Sequence, residues 1–343
     1  MNNKIGFIAV GQAGGNIGSK LEAVGYDVLF LNTSDEDLST LETKFKYHIK
    51  GGEGCNKDRN KAKELVIEDF ENIAKEIEDK VNKDFIYVIF SSGGGTGSGA
   101  SPMLIDLLIQ HMEKAVGAIT IIPGENEPLK THINAYECFR ELEEVDGIAS
   151  TIVLDNNACE NKLSINKDFV ELLQGMLDMP NHKDVKGNID KAEVMEMLSS
   201  RGMLTITKVD KEQTNLANIV AGIKSNIYAP IEGDQVIKYV GLLAAKCVDI
   251  SELKKEVGNY IDAFQGYGEE TICVLAGLSL PFTRLEQIKN RVIENQESIK
   301  RNLQATSETR LKSDINFLDG FTPQMKKPKV GGAADIFAKY KKK

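Results

Sequence analysis

The run Ser91-Ser92-Gly93-Gly94-Gly95-Thr96-Gly97-Ser98-Gly99 constrains the fold of this chain more than any other stretch. It follows the apolar segment Phe85–Phe90 and precedes a helical pattern from Met103. Consecutive glycines let backbone N–H groups converge on an anion, and the helix behind them turns the positive end of its dipole toward the same point. The run therefore reads as a phosphate cradle. A flexible glycine linker is the competing reading, but linkers seldom join a buried strand directly to a helix.

A second glycine turn, Gly11-Gln12-Ala13-Gly14-Gly15-Asn16, has the same placement, after Ile5–Val10 and at the head of a helix. Its spacing is G-x-x-G-G, not the G-x-G-x-x-G of dinucleotide-binding turns, and no G-x-x-x-x-G-K-[ST] P-loop occurs. Further apolar runs at Asp27–Leu31, Ala118–Ile122 and Thr151–Leu154 alternate with helical stretches. Such alternation predicts an α/β fold with βαβ units on a parallel sheet and ligands at the C-terminal ends of the strands.

Phe169, Leu172, Leu173, Met176 and Leu177 recur at helical spacing, which predicts a connecting helix over Asn166–Met179 that Pro180 ends. Beyond it, strand candidates at Met203–Val209, Tyr239–Cys247 and Thr271–Leu280, with helical runs at Thr214–Ile227 and Ser251–Ile261, predict a smaller α/β domain. Leu285, Ile288, Val292, Ile299 and Leu303 line one face of a long helix over Arg284–Thr306, expected to pack back on the protein.

At 343 residues and 41% hydrophobic content, the chain can bury a core large enough for two domains. No apolar run approaches the ~20 residues of a membrane-spanning helix. Met1 leads straight into a strand-like segment without a leader pattern, so a cytoplasmic location with no membrane partner is expected. The five cysteines include no CxxC pair and the four histidines are dispersed, which points away from a disulfide framework or a zinc site. A net charge of -9 disfavours phosphate-backbone binding by the body. Gly320–Lys343 nevertheless carries seven Lys against one Asp, a net of +6 that leaves -15 for residues 1–319. A basic tail ends an acidic body.

The motif Gly93–Gly99, together with the turn at Gly11–Asn16, resembles the signature of the tubulin/FtsZ superfamily of GTPases, and within it the TubZ branch of filaments that segregate plasmid or phage DNA. The likeness covers roughly residues 3–300, with matches densest in the first 195. It implies a GTP-binding domain at 1–163, a connecting helix at 164–182, a second (activation) domain at 183–283, a C-terminal amphipathic helix region at 284–319 and a basic tail at 320–343.

For the nucleotide, the resemblance implies contacts from Gly11, Gln12, Ala13 and Asn16, with Gln12 also serving Mg2+. Gly93, Gly94, Gly95, Thr96, Gly97 and Ser98 would cradle the phosphates of GTP or GDP. Asn32, in Asn32-Thr33-Ser34-Asp35, would add to the site, although an Asx-turn explains that segment equally well. Gly54, Cys55 and Asn56 belong to a loop expected to close on the γ-phosphate. Lys57, Arg59 and Lys61 would add charge there, or start a solvated helix. Glu127 and Asn134 fall in the ribose region, where the chain departs from the phenylalanine- and glycine-containing segment of cell-division FtsZ. Asn156 and Asn166 would meet the guanine base, as amides suited to a purine edge, or serve as turn and cap residues.

Asn188-Ile189-Asp190-Lys191-Ala192-Glu193 is similar to the family loop that enters the neighbouring subunit's pocket, which makes Asp190, Glu193 and Asn188 the catalytic candidates for polarising the attacking water. The same D-x-x-E spacing is a capping box, and one residue can serve both roles. The implied protein is a GTPase activated by head-to-tail polymerisation. Its tail, Gly320–Lys343, would engage a DNA-binding adaptor of the TubR kind, so that DNA is bound indirectly. The alternatives are a divergent FtsZ-type division GTPase and, in another class, an NAD-binding oxidoreductase, which the absent G-x-G-x-x-G disfavours.

Overall fold

The computed structural model describes residues 1–307 apart from Asn2, Glu160, Asp234 and Cys247. The basic tail, the rest of the region from 308, and the side chains of Ile299 and Leu303 lie outside the described residues.

The chain opens with β1 (Ile5–Val10), α1 (Gly11–Ala23), β2 (Val28–Asn32), α2 (Asp35–Ser39) and β3 (Phe45–His48). It continues through α3 (Arg59–Glu68), α4 (Phe70–Lys80), β4 (Phe85–Ser91), α5 (Thr96–Gln110), β5 (Ala115–Ile122), α6 (Leu129–Glu143) and β6 (Ser150–Asp155). Helix α7 (Lys162–Asp178) leads to α8 (Lys191–Ser199), β7 (Gly202–Val209), α9 (Leu216–Lys224) and β8 (Ile237–Ala244). The described chain ends with α10 (Ile250–Val257), β9 (Tyr260–Tyr267), β10 (Thr271–Leu278) and α11 (Phe282–Ser307).

All these strands join one sheet in the order β3-β2-β1-β4-β5-β6-β7-β10-β8-β9. Pairing is parallel from β3 through to β7; β10 runs antiparallel to both β7 and β8, and β9 pairs parallel to β8. Ser150 and Thr151 of β6 pair with Gly202 and Met203, so the strands of the second half, expected as a smaller α/β domain, extend the first half's sheet. Strands β1, β2 and β6 are buried at every position, as parallel strands covered on both faces must be. Phe7, Tyr87, Ile152 and Leu204 pack against α1, α7 and α8 on one face. Ile8, Val88 and Leu275 pack on the other, which α3–α6 and α9–α11 cover. Among the described residues no helix is long and apolar enough to cross a membrane.

Several boundaries differ from the sequence reading for local reasons. Helix α5 starts at Thr96, inside the glycine run, not at Met103. Helix α7 starts at Lys162, because Asn161 accepts from Leu163 N as an N-cap. The helical run read through to Ile261 stops at Val257, where Gly258 takes φ +98° and the chain turns into β9. Residues Ile288 and Val292 of α11 are buried, with α11 packed on α6.

Candidate functional site

The sequence puts glycine at both β–α junctions, and the fold brings these junctions together because β1 and β4 are neighbours. Gly11 takes φ +72°, a conformation that favours glycine, and a side chain there would approach Gly97 N to 3.3 Å. A Cβ on Gly14 would stand 2.4 Å from Ile89 O. The N-termini of α1 and α5 therefore meet over a cavity of about 340 Å³. Two helix dipoles and their free N–H groups face it, which is the arrangement a polyphosphate requires.

The cavity is lined by Gly11, Gln12 and Ala13 from the first turn, by Gly94, Gly95, Thr96 and Gly97 from the cradle, and by Asn32, Gly54, Cys55 and Asn56 from the loops between them. Asn16 lines a small adjoining recess. These loops are tied to one another: Thr33 Oγ1 is 2.7 Å from Thr96 Oγ1 and 3.2 Å from Cys55 Sγ, and Gly54 N donates to Thr33 O at 2.8 Å. Asn32 receives Ser34 N on Oδ1 and donates to Asp37 Oδ2, so the Asx-turn and the cavity position coexist.

Other expected contact residues lie outside that lining. Ser98 is buried and its hydroxyl donates to Gly94 O at 2.5 Å. Asn134 is fully buried; its Nδ2 donates to Gly94 O at 2.8 Å and Lys57 O at 3.0 Å, with Gly93 O at 3.3 Å, and so staples the loop to the cradle. Gly93 packs on Thr131, whose Cγ2 would stand 2.2 Å from a Cβ there. Glu127 Oε1 accepts from Asn156 Nδ2, Lys162 Nζ and Gly124 N. Burial pushes this carboxyl up, but the bonds from Lys162, Asn156 and Gly124 hold it below the usual range. Asn166 is buried on the first half of α7.

Arg59 corrects one expectation. Instead of charging the cavity it is buried, with Nη1 3.0 Å from Glu137 Oε2 and Nη2 2.7 Å from Glu141 Oε2. It also supplies a missing bond. Pro102 has no N–H to give the carbonyl of Ser98 four residues back, and Arg59 Nη2 donates to that Ser98 O at 3.0 Å. Pro102 inside an apolar helix was the sequence signal that a donor had to come from outside; nothing in the sequence said which.

Asn188, Asp190 and Glu193 stand apart from the cavity. Asp190 caps α8, accepting from Ala192 N and Glu193 N, and Glu193 Oε2 accepts from Asp190 N at 2.7 Å. The capping box is thus real, and Asn188 and Asp190 are exposed. Asn188 lies beside Gly266 of β9, six strands from β4, on the order of 25–30 Å at strand spacing. A larger cleft of about 710 Å³ opens between β6 and α9, but the C-terminal ends of α9 and α10 and Glu232 line it, and Lys224 there is paired with Glu256, which makes it a poor host for phosphates.

Residues 4–164 match the tubulin/FtsZ family, GTPase domain. The chain is 29% identical over 316 residues to the tubulin-like protein TubZ of Clostridium botulinum C phage, covering 90% of this chain and 88% of that protein. The crystal structure of Clostridium botulinum phage c-st TubZ superposes with a TM-score of 0.80 at 27% identity, over 87% of this chain and all of that one. A GTPγS-form protofilament of Bacillus thuringiensis serovar israelensis TubZ shares the fold at TM-score 0.71 and 18% identity, over 89% of this chain and 94% of that one.

Proposed function

We propose, from the premise that residues 4–164 are a GTPase domain of the tubulin/FtsZ family, that this chain assembles head to tail into a filament and hydrolyses GTP at each junction between copies. The observation that carries the reading is the separation of the two halves of the chemistry. Gly94–Gly97 line the cavity, whereas Asp190, exposed, and Glu193, half-buried, are absent from its lining. Helix α7, whose 17 residues extend about 25 Å, runs between Lys162 beside Glu127 and the loop that carries Asp190. One copy binds the nucleotide, and the next copy brings the carboxylates. Such a heterologous contact does not close, so it propagates as an open filament.

In this reading Asp190 and Glu193 of the incoming copy orient and polarise the attacking water, and Asn188 helps to position it. Asn156 and Asn166 meet the base, and Glu127 orders the segment next to it. The oxygens of Gln12 and Asp37 on the cavity wall fit Mg2+, which keeps most of its waters and takes few protein ligands. When bound, the ion neutralises charge on the phosphates. Similarity to TubZ, together with a basic end on an acidic body, supports segregation of plasmid or phage DNA through a DNA-bound adaptor that takes Gly320–Lys343.

Asp190→Asn tests the chemistry, because asparagine caps a helix as well as aspartate does. Filaments of the variant are expected to assemble with GTP, keep their thermal stability and release phosphate at least about 100-fold more slowly. Turnover at the wild-type rate in pelleted filaments removes Asp190 from the mechanism. Pull-down with Gly320–Lys343 tests the cargo: a small DNA-binding protein is expected, and a membrane-tethered division protein would favour the FtsZ-type alternative.

A further inference from the structure

We propose that Asn134 is a positioning residue of the nucleotide site: from outside the cavity it pins the Gly94–Gly95 peptide so that its N–H faces the phosphates. The inference rests on the cradle reading above and adds to it the residue that sets the direction of the cradle.

A peptide between two glycines has no Cβ on either side, so nothing local prevents its plane from turning over. A Cβ on Gly94 would meet only Ser91 O at 4.0 Å, so neighbouring atoms do not hold the plane either. The carbonyl of Gly94 is instead held twice, by Ser98 Oγ at 2.5 Å and by Asn134 Nδ2 at 2.8 Å. Both donors belong to residues that are 0% exposed and absent from the cavity lining, whereas Gly94 and Gly95 line it. In a trans peptide the C=O and N–H point opposite ways. With its oxygen fixed toward the interior, this peptide turns Gly95 N–H toward the cavity.

The two donors are themselves fixed from further out. Ser98 O accepts from Arg59 Nη2 at 3.0 Å, in place of the bond that Pro102 cannot make. Asn134, on α6, also donates to Lys57 O at 3.0 Å and to Gly93 O at 3.3 Å. Its Oδ1 is buried and has no partner among the described residues. An acceptor left idle in the interior costs stability, and the fold bears that cost with the amide nitrogen turned to three carbonyls, which can only accept. Donating to those carbonyls is thus what the side chain does. In this role the amide needs no contact with the ribose, near which the sequence places it.

The experiment titrates GDP, 2′-deoxy-GDP and 3′-deoxy-GDP into the full-length chain by calorimetry, well below its melting temperature. Two variants are compared with the wild type. Asn134→Leu is similar in size and has no donor, and Ser98→Ala removes a donor from the same carbonyl without touching Lys57. Each is expected to weaken GDP by about fivefold to tenfold. The loss should be equal for both deoxy nucleotides, because the pinned peptide serves phosphates that all three carry. A loss that shrinks with either deoxy nucleotide would make Asn134 a ribose contact. Unchanged affinity in folded variants would make it a structural staple, and a loss absent from Ser98→Ala would trace the effect to Lys57 O; any of the three overturns the proposal and leaves the cradle standing. If Asn134→Leu does not fold, Ser98→Ala decides alone by the same criteria. Failure of the wild-type chain to bind any of these nucleotides would overturn the cradle as well.

Discussion

Arg284 Nε donates to Asp155 Oδ2 at 2.8 Å, and only 4% and 5% of the two side chains is exposed. The pair fastens the first turn of α11 to the end of β6, and Arg284 Nη2 also donates to Pro123 O at 2.7 Å at the end of β5. One residue from the C-terminal helix thus holds the strand ends that carry Glu127 and Asn156. Replacing one partner strands a buried charge, which costs about 3–5 kcal/mol. Arg284→Met should therefore lower the urea midpoint strongly. The double variant Asp155→Asn/Arg284→Met should regain part of the loss, because neither charge is then left alone. Additive losses in the pair would show that the two residues act separately.

The cradle glycines should separate folding from binding. A Cβ on Gly99 would stand 2.4 Å from Arg59 O and 2.9 Å from Arg59 Cα, both backbone atoms of a residue locked by Glu141. Gly99→Ala is therefore expected to destabilise the protein by about 1–3 kcal/mol. A Cβ on Gly94 meets nothing closer than Ser91 O at 4.0 Å and faces open space on the cavity wall. Gly94→Ala should keep the native melting temperature and lose affinity for guanine nucleotides. Thermal melts paired with nucleotide titrations check both outcomes, and a destabilised Gly94→Ala would contradict the geometry.

The glycine turns and the buried parallel strands were legible because each is dictated locally. A strand covered on both faces needs an apolar run, and β1 and β4 have an unbroken one over Ile5–Val10 and Phe85–Phe90. Strand β3 escaped notice because Phe45–His48 is four residues long, lies at the sheet edge and is mostly half-buried. Strand β9, at the other edge, contains Asp262 and Gln265 and so shows no such run. The capping box at Asp190 was legible from spacing alone. Arg59 was not: its carboxylate partners on α6 are 78 and 82 residues away, and a cluster of bases at a helix start looks like a solvated face. For Asn134, expected in the ribose region, the amide's hold on the carbonyls of Lys57 and Gly94 is likewise visible only in the tertiary packing.

His132 gives the fold a pH dependence with a definite sign. Its ring is 1% exposed; Nδ1 lies 3.2 Å from Pro128 O, which can only accept, so the neutral ring carries its lone pair on Nε2. That nitrogen is buried and has no partner among the described residues. Burial pushes the imidazole below its ordinary value of 6.5; the Pro128 carbonyl and Glu127 oppose this, while Arg291 and Arg284 add to it. The unfolded chain therefore binds the proton first as pH falls. The stability that the neutral ring contributes is complete above about 6.5, begins to fall there and is lost as pH drops through the depressed native value. His132→Gln cannot titrate and can still donate to Pro128 O. Melting temperatures of the variant should fall less than those of the wild type between about pH 7.5 and about pH 5.5. Parallel curves would place the titration on another group.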